Sequence, residues 1–319
     1  MENMTKIRKF PLVWDVVAML LIFFGSQLVV GVVLQLCGVV APATSAIDTV
    51  PIDSYLAEQE SLARYTALLY PLTMLIPMVL MWAYACWRGG KKAISIGCSA
   101  AGLNPSVVLV GVVWLLSAQV VIEPLALMLP KVESPGVGLG LWAYVTTIVL
   151  APIIEELMCR GVILETIRKR WGIGLAIVVS ALFFGLIHVA PATILVATVA
   201  GLIFGVLYVR TSSIFTSMIV HAINNAIAFT LVVLEKDEVP LKTMIGNDTI
   251  YYIVYAVAAV LFVAATVEAC FKLKSVKEEA EKKAAEEADS AEVAETADSA
   301  EVAEEKVGEE KVGEEEAES

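Results

Sequence analysis

Glu155-Glu156-Leu157-Met158-Cys159-Arg160 follows directly on an apolar run, residues 142–154. The run is hydrophobic enough to sit in a bilayer, and two adjacent carboxylates with an arginine do not belong in hydrocarbon. An ionisable side chain at the bilayer centre costs at least ~2.5–3.5 kcal/mol on insertion scales, so by default it marks a functional site. Glu156 and Arg160 stand at i and i+4, one turn apart on one helix face, and can pair. Glu155 points roughly 100° away around the helix and is left without that partner. The expectation is one structural carboxylate, Glu156, beside one free to do chemistry, Glu155.

The surrounding chain has the same character. Of its 319 residues, 58% are hydrophobic, against about 45–50% in a soluble domain. Repeated apolar runs of about twenty residues read as transmembrane helices. The expected fold class is therefore an all-α, polytopic membrane protein of about eight transmembrane helices. The expected spans are residues 12–40, 66–87, 106–129, 139–167, 172–189, 193–209, 214–234 and 249–270. The first run is about twice the length of a signal-peptide core, so a retained helix is expected there. The loop 41–65 is polar and acidic, with Asp48, Asp53, Glu58 and Glu60.

Charge sets the expected orientation. Lys6, Arg8 and Lys9 precede the first span, and Arg88, Lys91 and Lys92 follow the second. Arg168, Lys169 and Arg170 follow the fourth, Arg210 the sixth, and Lys272, Lys274 and Lys277 the eighth. With eight spans all of these fall on one side, so both termini are expected in the cytoplasm. An odd number of spans would break that agreement. The net charge of −12 comes mostly from a glutamate-rich C-terminal tail, in which ADSAEVAE and EKVGE each occur twice. Such a segment buries too little apolar surface to order itself. The expected division is a membrane domain over residues 1–274, with its motif core at 139–234, and a disordered acidic tail over 275–319, a solvated segment or a docking site for an unknown partner. No basic patch or nucleic-acid motif is present. The five cysteines show no CxxC or zinc-type spacing and read as small apolar fillers.

The chain has two histidines, His188 and His221, and both fall in expected membrane helices. Phe184 stands four residues before His188, and Asn225 four residues after His221, on the same face. Three successive elements thus place a carboxylate, an imidazole, and an imidazole with a carboxamide at membrane depth. A carboxylate and a neutral imidazole can polarise one water. A second imidazole and an amide N–H can donate to a developing oxyanion. Those four groups suffice to hydrolyse an amide without a covalent intermediate. Cys159 lacks an evident activating base. Glu156–Arg160 also reads as a buried pair with no catalytic duty, and two His with a carboxylate can hold a divalent metal such as zinc.

Glu155-Glu156-x-x-x-Arg160, Phe184-x-x-x-His188 and His221-x-x-x-Asn225, in this order on successive apolar helices, resemble the motifs of the CPBP family. These are the CAAX-protease and bacteriocin-processing intramembrane proteases, also called the Abi family and related to the Rce1-type prenyl endopeptidases. The resemblance covers about residues 139–234. It implies that Glu155 and His188 activate the water and that His221 and Asn225 stabilise the oxyanion. It further implies that Glu156 and Arg160 hold the helix, that Phe184 packs or lines the site, and that Asn224 assists, with no cofactor. The expected activity is an intramembrane endopeptidase acting on a membrane-embedded or membrane-tethered polypeptide, in a bacterial cell membrane. A prenylated substrate is not required by that reading. A non-catalytic binding, immunity or transport protein is the alternative use of the same polar cavity; a transporter would favour internal repeats among the helices, and none is found.

One tension accompanies this reading. Counting places His188 near the outer end of the fifth span and His221 about seven residues into the seventh from the inside. The expectation is that residues 189–193 lie below the membrane surface, or that the fifth and sixth helices are short and tilted. Gln27, Gln35, Gln119 and Glu123 are further polar residues in the spans, with Glu123 expected near an interface.

Overall fold

The computed structural model describes residues 10–90, 93–99, 103–130, 132, 136–235 and 239–271. Lys6, Arg8, Lys9, Lys91, Lys92, Lys272, Lys274 and the tail 275–319 lie outside the described residues. Residues 1–269 form one unit and 270–319 a second, of which Cys270 and Phe271 are described.

The fold is all-helical. The helices are α1 (Val13–Leu36), α2 (Ile52–Gly89) and α3 (Pro105–Ala126), followed by a continuous run made of α4 and α5. We take α4 as Leu141–Tyr144, Val145–Leu150, Ala151–Glu156 and Leu157–Leu164, of which Val145–Leu150 and Leu157–Leu164 are π-helical. Next come α5 (Glu165–Leu186), α6 (Pro191–Thr211), α7 (Ile214–Val233), the short α8 (Leu241–Ile245) and α9 (Asp248–Phe271). Among the described residues, α1, α2, α3, α6, α7 and α9 are long and apolar enough to cross a membrane. The α4–α5 run supplies the other two expected spans, because Gly172, at φ 80°, breaks it. Only glycine takes that conformation without steric cost.

Two boundaries differ from the sequence expectation. The segment read as an acidic loop is helical from Ile52 onward. Residues 52–65 are rich in Leu, Ala, Glu and Gln, strong helix formers, and Glu60 pairs with Arg64 at 2.6 Å one turn on. At 1.5 Å per residue α2 is about 57 Å long, well beyond the ~30 Å hydrocarbon core, so its polar first third is surplus to a span. The fifth span is short. Residues 173–186 cover only about 21 Å, which removes part of the depth conflict between His188 and His221.

Burial identifies the centre. Half of the apolar window of α6 is buried, against 11% in α1 and α9. Phe204, Leu207 and Tyr208 of α6 and Met158, Leu164 and Ile167 of the α4–α5 run are among the most buried side chains. Helix α5 lies against α6 along a seam of small residues. A Cβ on Gly201 would stand 2.9 Å from Ala181 Cα, and one on Gly185 would collide with Thr198. Close approach through small residues is how membrane helices gain packing without a hydrophobic drive between them. Leu21, Leu28 and Val29 of α1 and Val260 of α9 are exposed, an arrangement suited to lipid rather than water.

Candidate active site

The site begins with a missing hydrogen bond. In the first π segment the Ala151 N–H donates to Thr146 O, five residues back. The next donor in that register would be residue 152, which is proline and has no N–H. The Thr147 carbonyl is thereby left open, and it accepts the Asn225 Nδ2–H at 2.9 Å. Pro152, three residues before Glu155, thus fixes a carboxamide that arrives from α7.

Glu155 and Glu156 stand on the α-helical turn between the two π segments, and both are buried. Glu156 accepts from Arg160 Nη1 at 2.9 Å, with both side chains fully buried. The Arg160 Nη2 donates to Gly201 O at 2.6 Å. Its guanidinium lies 5.0 Å from the Phe184 ring centre and 5.4 Å from that of Phe204. The expected pair is therefore present, extended into α6 by a backbone acceptor and two aromatic faces. Phe184 packs in this way and also lines the cavity described below.

Glu156 holds a second partner, which spacing did not reveal. His221 Nδ1 stands 3.3 Å from Glu156 Oε1, and its Nε2 stands 3.7 Å from Glu155 Oε2. The ring is stacked on Phe204, with centroids 4.8 Å apart and planes 22° apart. Phe184 meets it edge-on at 5.4 Å. His221 is held between two carboxylates and two aromatic rings.

Glu155 was expected to lack an ion-pair partner on its own helix and to meet His188. Instead its Oε1 accepts from the Tyr70 hydroxyl at 2.5 Å, across from α2. The imidazole it meets is that of His221, and it forms no ion pair with His188.

His188 lies in the turn just past the end of α5, not in a helix as its span suggested. Its Nδ1 is 2.8 Å from Phe184 O. A carbonyl only accepts, so Nδ1 carries the proton and a neutral ring keeps its Nε2 lone pair free. The turn is tight: Ala190 N–H bonds His188 O at 2.7 Å, and Val189 adopts φ 63°. Positive φ at a β-branched residue is a costly conformation of the kind that clusters at functional sites.

A cavity of about 540 Å³ lies against His188 and His221, while Glu155, Glu156 and Arg160 stand behind its lining. His188, His221, Asn224, Asn225 and Phe184 line it, together with Gln119 and Glu123 of α3. Met244 of α8 closes part of its wall. Gln119 Nε2 donates to Asn224 Oδ1 at 2.6 Å, and Asn224 Nδ2 reaches Asn225 Oδ1 at 3.4 Å. Glu123, expected near an interface, faces this cavity and accepts from the Leu241 N–H at 2.6 Å. Among the described residues, no group of three or more His, Cys, Asp and Glu side chains is arranged to hold a metal ion. Cys159 is fully buried and stands outside the cavity lining.

Residues 137–227 match the family model of the type II CAAX prenyl endopeptidase, Rce1-like. This segment is similar to the Rce1-like endopeptidases. The match runs from just before α4 into α7 and contains Glu155, Glu156, Arg160, Phe184, His188, His221, Asn224 and Asn225. It indicates a CAAX-protease-like intramembrane endopeptidase, and the apolar helices around it make the chain a multi-pass membrane protein. No curated protein and no solved structure matches the chain. Tyr70 and Gln119 contact the site from outside the Rce1-like segment. Gln119 was visible as a polar residue in a span, and Tyr70 as a phenol that needs a partner once buried. Neither carries a spacing that ties it to the motifs.

Proposed function

We propose that Glu155 and His188 activate a water for attack on a peptide carbonyl of a membrane-embedded or membrane-tethered polypeptide. Glu155 takes a proton from the water, and the resulting oxygen nucleophile adds to the carbonyl carbon. His221 and the Asn225 amide donate hydrogen bonds to the oxyanion. The C–N bond then breaks as the leaving amine takes a proton from the Glu155 carboxyl. The observation that carries this reading is the meeting of both histidines and Asn225 on one cavity wall, with Glu155 Oε2 3.7 Å from His221. The free Nε2 of His188 suits it to accept from water. The Glu156–Arg160 pair holds His221 in place, and Asn224 with Gln119 supports Asn225. No cofactor takes part in these steps, and the protein would act in a bacterial cell membrane with both termini in the cytoplasm.

The test is a comparison of membrane peptides from cells expressing the protein or its Glu155→Gln variant, with and without a chelator. Loss of specific cleavage products in the variant is expected, as is indifference to the chelator. Full activity of Glu155→Gln would end the protease reading.

The short separation between Glu155 and His221 favours a second assignment, in which the two histidines exchange roles. If His221 Nδ1–H donates to Glu156, a neutral ring turns a bare Nε2 toward Glu155. The two assignments differ in what glutamine can replace, because its amide donates a hydrogen bond but is no base. On the first, His221→Gln keeps residual cleavage and His188→Gln loses it, by about 10²-fold or more. On the second, the order reverses.

A further inference from the structure

We propose that Tyr70 is a positioning residue for the water-activating carboxylate, an inference that rests on Glu155 acting as the base. Tyr70 lies on α2, 85 residues before Glu155 and outside the Rce1-like segment. Its hydroxyl donates to Glu155 Oε1 at 2.5 Å, while Oε2 faces His221 at 3.7 Å. The phenol therefore decides which oxygen of the carboxylate is tied and which is presented to the reacting groups. Tyr70, like Glu155, is absent from the cavity lining, and its hydroxyl is spent on Glu155, so it acts through that carboxylate.

Its own position is fixed. The Thr73 hydroxyl donates to Tyr70 O at 3.0 Å, and the Thr73 carbonyl accepts from Gln27 of α1 at 2.8 Å. The machinery thereby extends through α2 to α1. Glu155 has a flexible stem on a turn only six residues long between two π segments. Without the phenol the carboxylate loses its one directional contact to an element outside the α4–α7 core. A misplacement of about 1 Å costs a catalytic group up to roughly 100-fold.

The experiment uses the full-length protein in lipid nanodiscs. The probe is an internally quenched peptide spanning the strongest Glu155-dependent cleavage site found in the membrane-peptide comparison. Tyr70→Phe removes only the hydroxyl. It is expected to lower kcat on the order of 10- to 100-fold and to leave KM and the melting temperature at their original values. A second measurement needs no substrate. The infrared carboxylate band that vanishes in Glu155→Gln is expected to shift in Tyr70→Phe. Unchanged kcat, an unshifted band, or a fall in kcat that tracks lost thermal stability would overturn the proposal while leaving the base intact. A fully active Glu155→Gln would instead overturn the base, and this inference with it.

Discussion

At the scale of single residues, the most demanding group is Arg160, whose side chain is fully buried. A buried ion pair carries a desolvation cost that its mutual attraction offsets only with good geometry and further hydrogen bonds. Here the further partners are Gly201 O and the Phe184 and Phe204 faces. Glu156 spends the same oxygen, Oε1, on both Arg160 and His221. Removal of the arginine leaves that carboxylate buried without its cation. Arg160→Met is expected to destabilise the protein by about 3–5 kcal/mol, read as unfolding in mixed micelles. Adding Glu156→Gln to it should restore part of the loss, because no uncompensated charge remains. Equal instability of the single and double variants would show that packing, and not the charge, holds the pair.

At the scale of elements, α4 shows how local backbone chemistry becomes a site. Its first π segment and Pro152 together free the Thr147 carbonyl for Asn225. Pro152→Ala puts an N–H back into that register, where it competes for the same acceptor. The expected result is an intact, equally stable protein whose cleavage rate falls by about 10-fold or more, as Asn225 loses its fixed orientation. A rate unchanged from the parent would sink this account of the π segment. Much of this region could be read from sequence. Carboxylates, histidines and an asparagine are costly in apolar runs, so each one announced itself, and the i,i+4 spacing paired Glu156 with Arg160. The contacts between elements could not be read. Tyr70 passed unremarked and Gln119 stood out only as a polar residue in a span, because their partners lie 85 and 105 residues away. The π register and the turn at His188 were equally hidden, because periodicity assumes regular helix. The first third of α2 was read as loop because its charge outweighed its helix propensity.

At the scale of the whole molecule, the contacts sort the helix ends into two sets. Arg170, at the break between the fourth and fifth spans, donates to Pro11 O ahead of α1. Tyr208, near the end of α6, bonds both Glu165 and the Gly97 N–H. Cys98 bridges Ser213 before α7, and Arg210 pairs with Glu268 near the end of α9 at 2.9 Å. The start of the chain and the ends of the even-numbered spans therefore meet on one end of the bundle. At the other end Glu58 accepts from Ser45, and the Leu139 N–H reaches Gln59 O. This is the alternation that eight crossings demand and that an odd count would break. Arg88, Arg168, Arg170 and Arg210 follow even-numbered spans, and by the positive-inside tendency we propose that this end faces the cytoplasm. The native cysteines provide the test. Cys37, Cys98 and Cys270 are all exposed, but Cys37 follows the first span, whereas Cys98 and Cys270 lie at the ends of even-numbered ones. Variants keeping one of these three cysteines are expected to divide under a membrane-impermeant maleimide. Cys37 should label on intact cells, and Cys98 and Cys270 only after permeabilisation. Labelling of Cys98 on intact cells would reverse the orientation. Labelling of Cys37 and Cys270 from the same side would remove one crossing, and with it the agreement between charge and contact on which the eight-span reading stands.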